Sequence, residues 1–242
     1  MRRCAPVWVL IVLALNGCSG RKPPASAPQA TAFGNAIVEV SGGKQVAGVG
    51  LALDQPVVVQ VNDAQGNAAP GAAVSMRGPA GVSFLPASGL TDSSGQFTTA
   101  VTLGGMAGRY RIVASTRDRA GKPVELTLEE IALDYQQSLG RELNRQYCAR
   151  CHDPESTPER VSNFDNLDPK PHAFTEGDAL NKLSDADLAA IIGHGGPALG
   201  RSPQMPSYVY TLSASDIQAV IAFIRAVSDP PFRSKGVVYA KN

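Results

Sequence analysis

Two cysteines and a histidine form the sequence Cys148-Ala-Arg-Cys151-His152 in the second half of the chain. On a helical turn, two thiols at this spacing can each form a thioether with one vinyl group of the same porphyrin. The histidine that follows the second thiol is then placed to coordinate the iron. The pattern therefore predicts one covalently attached haem and reversible one-electron exchange at its iron.

Two other interpretations of the cysteine pair stay open at this point. A thioredoxin-like redox pair is expected inside a βαβ unit, and the residues before Cys148 do not predict one. A zinc site needs four ligands, and beyond the Cys148–His152 motif the only further Cys and His residues are Cys18, His172 and His194 once the N-terminal segment is removed. Haem attachment accounts for the motif with fewer additional requirements.

A haem iron that only transfers electrons needs a second axial ligand, opposite His152. Met205 is the expected ligand, because it lies between Pro203 and Pro206 in a stiffened loop before a predicted helix. A methionine is otherwise often a filler of irregular gaps in a core. His172 stays as the alternative ligand, or as a neighbour of a haem propionate. His194 is expected at a helix C-terminus, where the helix dipole favours an imidazolium without any metal.

Three predicted helices have to position these residues. Each begins with an N-cap residue and a partner three positions later, which together form a capping box: Asp134 with Gln137, Ser184 with Asp187, and Ser213 with Asp216. The second helix is expected to end at Gly193, and the third before Pro230. Each helix carries an apolar stripe, so we expect the three to cover a shared apolar object.

The region from Gly140 to Val227 resembles a class I cytochrome c domain. Gly140, eight residues before the first cysteine of the motif, matches the glycine at which the first and last helices of that family cross. Phe223 matches the aromatic residue on the last helix. The family resemblance implies thioether bonds at Cys148 and Cys151, with His152 and Met205 as axial ligands. Asn144 departs from the family, which commonly has an aromatic residue there.

A second pattern fills residues 33–134, where apolar residues alternate with polar ones as in half-buried strands. Val57, Val59 and Val61 lie on one face of such a strand. Turn sequences rich in Gly, Asp and Pro separate the strands, which predicts a β-sandwich. The acidic residues of these turns are expected to be solvated turn formers, and a calcium site at Asp54, Asp63 or Asp92 has no support from the sequence.

The same residues are similar to a bacterial immunoglobulin-like domain of the invasin and intimin type. The similarity lies in Asp63-x-x-Gly66-Asn67-x-x-Pro70-Gly71, Thr91-Asp92-x-x-Gly95 and Gly108-x-Tyr110-x-Ile112-x-Ala114. In that family the domain is a spacer or an adhesive module without catalytic residues. The fold expected for the whole chain is thus an all-β immunoglobulin-like sandwich (33–134) followed by an all-α class I cytochrome c fold (135–242).

The N-terminus predicts export. Residues 1–17 have a basic start, a short apolar run and small residues before Cys18, as in a signal peptide. The end of this segment is similar to a lipoprotein signal, which implies acylation of Cys18; an ordinary signal peptide is the alternative. Residues 18–32 are expected to be a flexible tether. We expect the protein to face the periplasm or the cell surface, and Ser19 after the anchor favours the outer membrane.

Composition limits the remaining functions. The 242 residues carry a formal net charge of +1, which gives no electrostatic footprint for nucleic acid. The expected function is a lipid-anchored, monohaem electron carrier, not an enzyme, that exchanges electrons with unidentified redox partner proteins and meets the membrane only through its anchor. Two alternatives are a haem-bearing surface adhesion protein and a haem sensor or enzyme subunit with a labile Met205 ligand.

Overall fold

A computed structural model describes residues 29–153 and 162–234 of the chain. The predicted signal segment, Cys18 and most of the predicted tether lie outside these described residues. Within them, a β-rich half comes first and a helical half follows, with the change from strand to helix at Asp134. No described helix is both long and apolar enough to span a bilayer.

The β-rich half is a two-sheet sandwich, as predicted. One sheet has four strands in the order β1-β3-β7-β5, and the other has five in the order β2-β9-β8-β4-β6. All pairs are antiparallel except β2 with β9, which run parallel. The strands are β1 (Ala36–Ser41), β2 (Val46–Gly48), β3 (Val57–Asn62), β4 (Ala73–Arg77), β5 (Ser83–Leu85), β6 (Ser88–Leu90), β7 (Gln96–Thr102), β8 (Gly108–Arg117) and β9 (Pro123–Leu133).

Alternation along the strands builds the core of the sandwich. Val57, Val59 and Val61 of β3 are buried while the residues between them are only partly covered, so successive side chains point to opposite faces. Ile112 and Ala114 of β8 are fully buried against them from the other sheet. The alternation predicted from the sequence is therefore the alternation of the folded domain.

Aspartate side chains shape two of the turns between strands. Asp63 Oδ1 accepts hydrogen bonds from the backbone N–H groups of Gln65 and Asn67, both at 2.9 Å. Asp92 Oδ1 does the same for Ser94 at 2.8 Å and Gln96 at 2.9 Å. These carboxylates hold their own turns, in agreement with their interpretation as turn residues.

The helical half contains five α-helices in its described part. They are α1 (Tyr135–Leu143), α2 (Ala149–His152), α3 (Gly177–Leu180), α4 (Asp185–His194) and α5 (Ala214–Val227). A π-helical turn (Asn144–Cys148) joins α1 to α2, and short 3₁₀ turns occupy Phe164–Asn166 and Pro197–Leu199. The predicted capping boxes at Asp134, Ser184 and Ser213 are all present. Helix α4, the second of the three predicted helices, ends at His194, one residue later than expected.

Helices α1 and α5 cross at Gly140. A Cβ atom at this position would lie 1.9 Å from the backbone oxygen of Ala219 and 2.8 Å from Cβ of Phe223, so only glycine permits the crossing. The predicted meeting of Gly140 with Phe223 is confirmed. Residues of β9 complete the apolar core beneath these helices, since Ile131 and Leu133 pack with Val220 and Ile224.

Candidate functional site

The helical half encloses a cavity of about 380 Å³. Cys148, Cys151, His152 and Met205 all line it, although 53 residues separate the last two in the chain. The remaining wall is largely apolar and includes Phe174, Leu180, Leu188, Ile192, Pro206 and Ile224. The structure thus brings the four residues singled out from the sequence into one apolar space.

The π-helical turn sets the direction of the cysteine motif. The N–H of Ala149 bonds to the carbonyl of Asn144 five residues earlier, rather than four. This widened turn rotates the following residues relative to α1, and α2 then carries Cys151 and His152 to the cavity. Because α1 is held at its crossing with α5, the motif has a fixed starting point.

The His152 ring is oriented by a backbone carbonyl. Its Nδ1 lies 2.7 Å from the oxygen of His172, and a carbonyl can only accept, so Nδ1 carries the proton. The lone pair is therefore on Nε2, the nitrogen that is free to bind a metal. Burial in apolar surroundings lowers the pKa of His152, which keeps the imidazole neutral. Phe174 packs against the ring, with 5.1 Å between the ring centroids.

The Cys148 thiol lacks the property expected of a redox-active nucleophile. Burial, with smaller contributions from Asp153 and Cys151, raises the pKa of the Cys148 thiol to about 12. Thioredoxin-like chemistry depends on a thiol pKa that is lowered, because the thiolate is the nucleophile. The pair also lies on helices rather than in a βαβ unit. Both observations argue against the redox interpretation.

Hydrogen bonds tie the Met205 loop to the end of α4. The N–H of Gly196 donates to the Met205 carbonyl at 3.0 Å, and Ser207 Oγ donates to the carbonyl of Gly193 at 2.7 Å. A Cβ atom at Gly196 would lie 1.9 Å from the Ser202 oxygen, so the two loop segments approach closely. The backbone that carries the thioether is thereby held at the cavity wall.

Comparison with known families follows the same division of the chain. The family model described as bacterial Ig-like domain (group 1) matches residues 54–129. The one described as cytochrome C oxidase, cbb3-type, subunit III matches residues 136–224. The chain carries an immunoglobulin-like domain followed by a cytochrome c domain. The fold class predicted from the sequence is confirmed, and the cytochrome match supports a haem-based electron carrier.

Solved structures similar to the chain include bacterial adhesins. The D00-D0 domain of intimin is 17% identical with a TM-score of 0.31, and the alignment covers 48% of this chain and 52% of that one. The adhesin InvE of Yersinia pseudotuberculosis is 15% identical with a TM-score of 0.31, and the coverage is 43% and 33%. Invasin is 19% identical with a TM-score of 0.30, and the coverage is 40% and 19%. The chain spans about half the length of the intimin structure. No curated protein matches the chain.

The other two histidines of the cytochrome domain have different positions. His194 is the last residue of α4 and does not line the cavity, as expected for a histidine at a helix terminus. His172 does line it, but its backbone carbonyl lies on the Nδ1 side of His152. The choice between Met205 and His172 as the second axial ligand stays a prediction.

Two cavity residues that the sequence analysis did not single out are basic. Lys170 and Arg201 line the cavity, and no described Asp or Glu does. Haem carries two propionates, and Arg201 could pair with one of them, whereas Lys170 Nζ already lies 2.6 Å from Asp165 Oδ1. The Cys148 and Cys151 thiols, the available His152 Nε2 and the apolar wall fit the rest of the group. No local sequence motif marks Lys170 as a cavity residue, whereas Arg201 lies four residues before Met205.

Proposed function

We propose that this chain is a monohaem c-type cytochrome that carries single electrons between redox partner proteins. One haem c would be attached through Cys148 and Cys151, with iron held between His152 Nε2 and the Met205 thioether. The single observation that supports this most is the meeting of these four residues in one apolar cavity. Bound haem supplies an iron that cycles between the ferrous and ferric states.

The protein residues would favour electron transfer over catalysis at the iron. His152 and Met205 would fill both axial positions, which leaves no coordination site for a substrate. The soft thioether of Met205 favours the ferrous state, and the apolar wall limits access of water. Partners would meet the domain through small, weak contacts, as is usual for electron-transfer complexes.

Covalent attachment is tested on the full chain made in a host that matures c-type cytochromes. We expect a coloured protein whose intact mass includes one haem. The double variant Cys148→Ala, Cys151→Ala is expected to lose the covalently added mass. A colourless wild-type protein without added mass would contradict the proposal.

Axial ligation by Met205 is tested with a matched pair of methionine variants. Methionine bound to ferric haem gives a weak far-red absorption band, which we expect in the wild type and not in Met205→Leu. The reduced Met205→Leu protein should also bind carbon monoxide rapidly. Met106→Leu is the control, because Met106 is 78% exposed in the immunoglobulin-like domain. Rapid carbon monoxide binding by the wild type would favour a sensor or enzyme with a labile ligand.

We further propose that the protein is exported and anchored through acylated Cys18, with the immunoglobulin-like domain as a spacer above the membrane. Residues 1–17 would be removed, and several acyl chains on one cysteine would hold the protein firmly. Cys18→Ser should move the cytochrome from the membrane fraction to the soluble fraction. Cys4→Ser, within the removed segment, should leave it in the membrane fraction. Soluble wild-type protein would instead indicate an ordinary signal peptide.

A further inference from the structure

One peptide group connects His152 to a carboxylate behind it. The carbonyl of His172 accepts the Nδ1 proton of His152 at 2.7 Å. The N–H of the same peptide group belongs to Ala173, and it donates to Glu176 Oε1 at 3.2 Å. The chain of hydrogen bonds therefore runs from the imidazole through a single peptide group to Glu176.

The second oxygen of the Glu176 carboxylate binds the side chain of His172. Glu176 Oε2 lies 2.7 Å from Nδ1 of His172, and the Glu176 N–H donates to the Ala173 carbonyl at 2.9 Å. The Glu176 carboxylate thus holds both the His172 side chain and the Ala173 backbone. The hydrogen bond from His172 holds the pKa of the Glu176 carboxyl below its usual value, so the group is ionised at neutral pH.

A negative charge on the N–H side of a peptide polarises its carbonyl. Hydrogen bonds in such a chain strengthen one another, so the His172 oxygen becomes a better acceptor for the His152 proton. A stronger bond at Nδ1 makes the imidazole a more basic ligand at Nε2. A more basic axial ligand favours ferric over ferrous iron, and the potential of the couple falls.

We propose that Glu176 is a positioning residue that tunes the axial His152 ligand through the peptide group between His172 and Ala173. The inference rests on the proposed function, because it requires haem at His152. The Glu176 side chain is 45% exposed and that of His172 is 56% exposed, so water screens part of the effect. The expected size is moderate for this reason.

Glu176→Gln is the main variant, since glutamine keeps the size and an acceptor oxygen but removes the charge. In redox titration of the holoprotein, we expect the equilibrium constant for reduction to rise about two- to five-fold, which is about 18 to 41 mV at 59 mV per tenfold change. Glu176→Ala, which loses the hydrogen bonds to His172 and Ala173, should raise the reduction potential at least as much. Asp178→Asn is the control, because it removes an equal charge from an exposed site two residues away.

A second measurement separates tuning of the ligand from a simple loss of nearby charge. In nuclear magnetic resonance spectra of the reduced protein, the Nδ1 proton of His152 should exchange faster with solvent in both Glu176 variants than in Asp178→Asn. Equal potentials and exchange rates in Glu176→Gln and Asp178→Asn would overturn the inference. Failure of all proteins to bind haem would instead refute the proposed function, and circular dichroism identifies any variant that does not fold.

Discussion

Glu130 is an acidic residue in the apolar interior of the β-sandwich, where an ionised carboxylate is unfavourable. Its side chain is fully buried; Oε2 accepts the N–H of Gln45 at 2.6 Å, while Oε1 has no partner. Burial raises the pKa of Glu130 to about 7, with a partial offset from the Gln45 hydrogen bond and added repulsion from Glu39 and Glu129. Between pH 4.5 and about 7, the Glu130 carboxyl is therefore mostly protonated in the folded protein and mostly ionised in the unfolded chain.

A raised carboxyl pKa makes folding less favourable as pH rises. Between pH 4.5 and about 7 the native state binds more protons than the unfolded state, so the free energy of unfolding falls across this window. Glu130→Gln removes this dependence and should stabilise the protein relative to wild type by about 1 to 3 kcal/mol at pH 8, with a much smaller gain at pH 4.5. Chemical denaturation at the two pH values measures the difference.

The matched control for this prediction is Glu125→Gln on the same strand. The Glu125 side chain is 42% exposed and pairs with Arg77 at the surface, so its loss should change stability by less than about 1 kcal/mol at either pH. If Glu130→Gln and wild type lose stability in parallel as pH rises, the buried carboxyl does not hold its proton.

At the scale of elements, the crossing of α1 and α5 determines where the cysteine motif begins. Gly140→Ala would place a methyl group 1.9 Å from the Ala219 oxygen, so one helix backbone has to move. We expect a loss of at least about 2 kcal/mol in the free energy of unfolding. The far-red absorption band of methionine-bound ferric haem should also be weaker than in the wild type. Thermal and chemical denaturation, followed in the holoprotein, provide the measurement.

Gly193→Ala is the corresponding control for a helical glycine. At Gly193 an added Cβ atom would have its nearest neighbour, Cδ1 of Ile217, at 3.8 Å, which is ordinary contact. Alanine has a higher helix propensity than glycine, so this variant should gain about 0.5 to 1 kcal/mol. Equal effects of the two substitutions would show that the close approach at Gly140 is not needed.

Elements with local signals were predictable, and those that depend on distant contacts were not. Each of the three capping boxes spans only four consecutive residues, and each correctly marks the start of its helix. The π-helical turn at Asn144 has no such signal, because it depends on how α1 meets the rest of the domain. The parallel pairing of β2 with β9 likewise joins strands about 85 residues apart, which alternation alone cannot specify.

The candidate site divides in the same way. The spacing of Cys148, Cys151 and His152 is a local motif, and the proline-flanked loop identified Met205. The carbonyl of His172, the carboxylate of Glu176 and the cation of Arg201 reach the site only through tertiary folding. The residues predicted to bind the group directly were therefore named from local sequence patterns, whereas the contacts that orient His152 required the structure.

At the scale of the whole molecule, the two domains share structure at their junction. Leu133 at the end of β9 is almost completely buried in the core of the cytochrome domain. The Arg109 guanidinium of β8 donates to the carbonyl of Ser228 at 2.6 Å and to that of Ala226 at 3.3 Å. These carbonyls end α5, where a cation also interacts favourably with the helix dipole. The sandwich therefore stabilises the last helix of the cytochrome domain directly.

This shared junction predicts coupled unfolding of the two domains. In the wild type, β-sheet circular dichroism and haem absorbance should change at the same denaturant concentration. Arg109→Ala leaves two carbonyls without their donor and leaves Glu129 with only its longer contact to Arg111. This loss should cost about 1.5 to 3 kcal/mol and move the haem transition below that of the sheet. Arg77→Ala, which removes an exposed pair from the same sheet, should leave the transitions coincident. Separate transitions in the wild type would mean that the domains are independent, with the junction a contact that neither needs for stability.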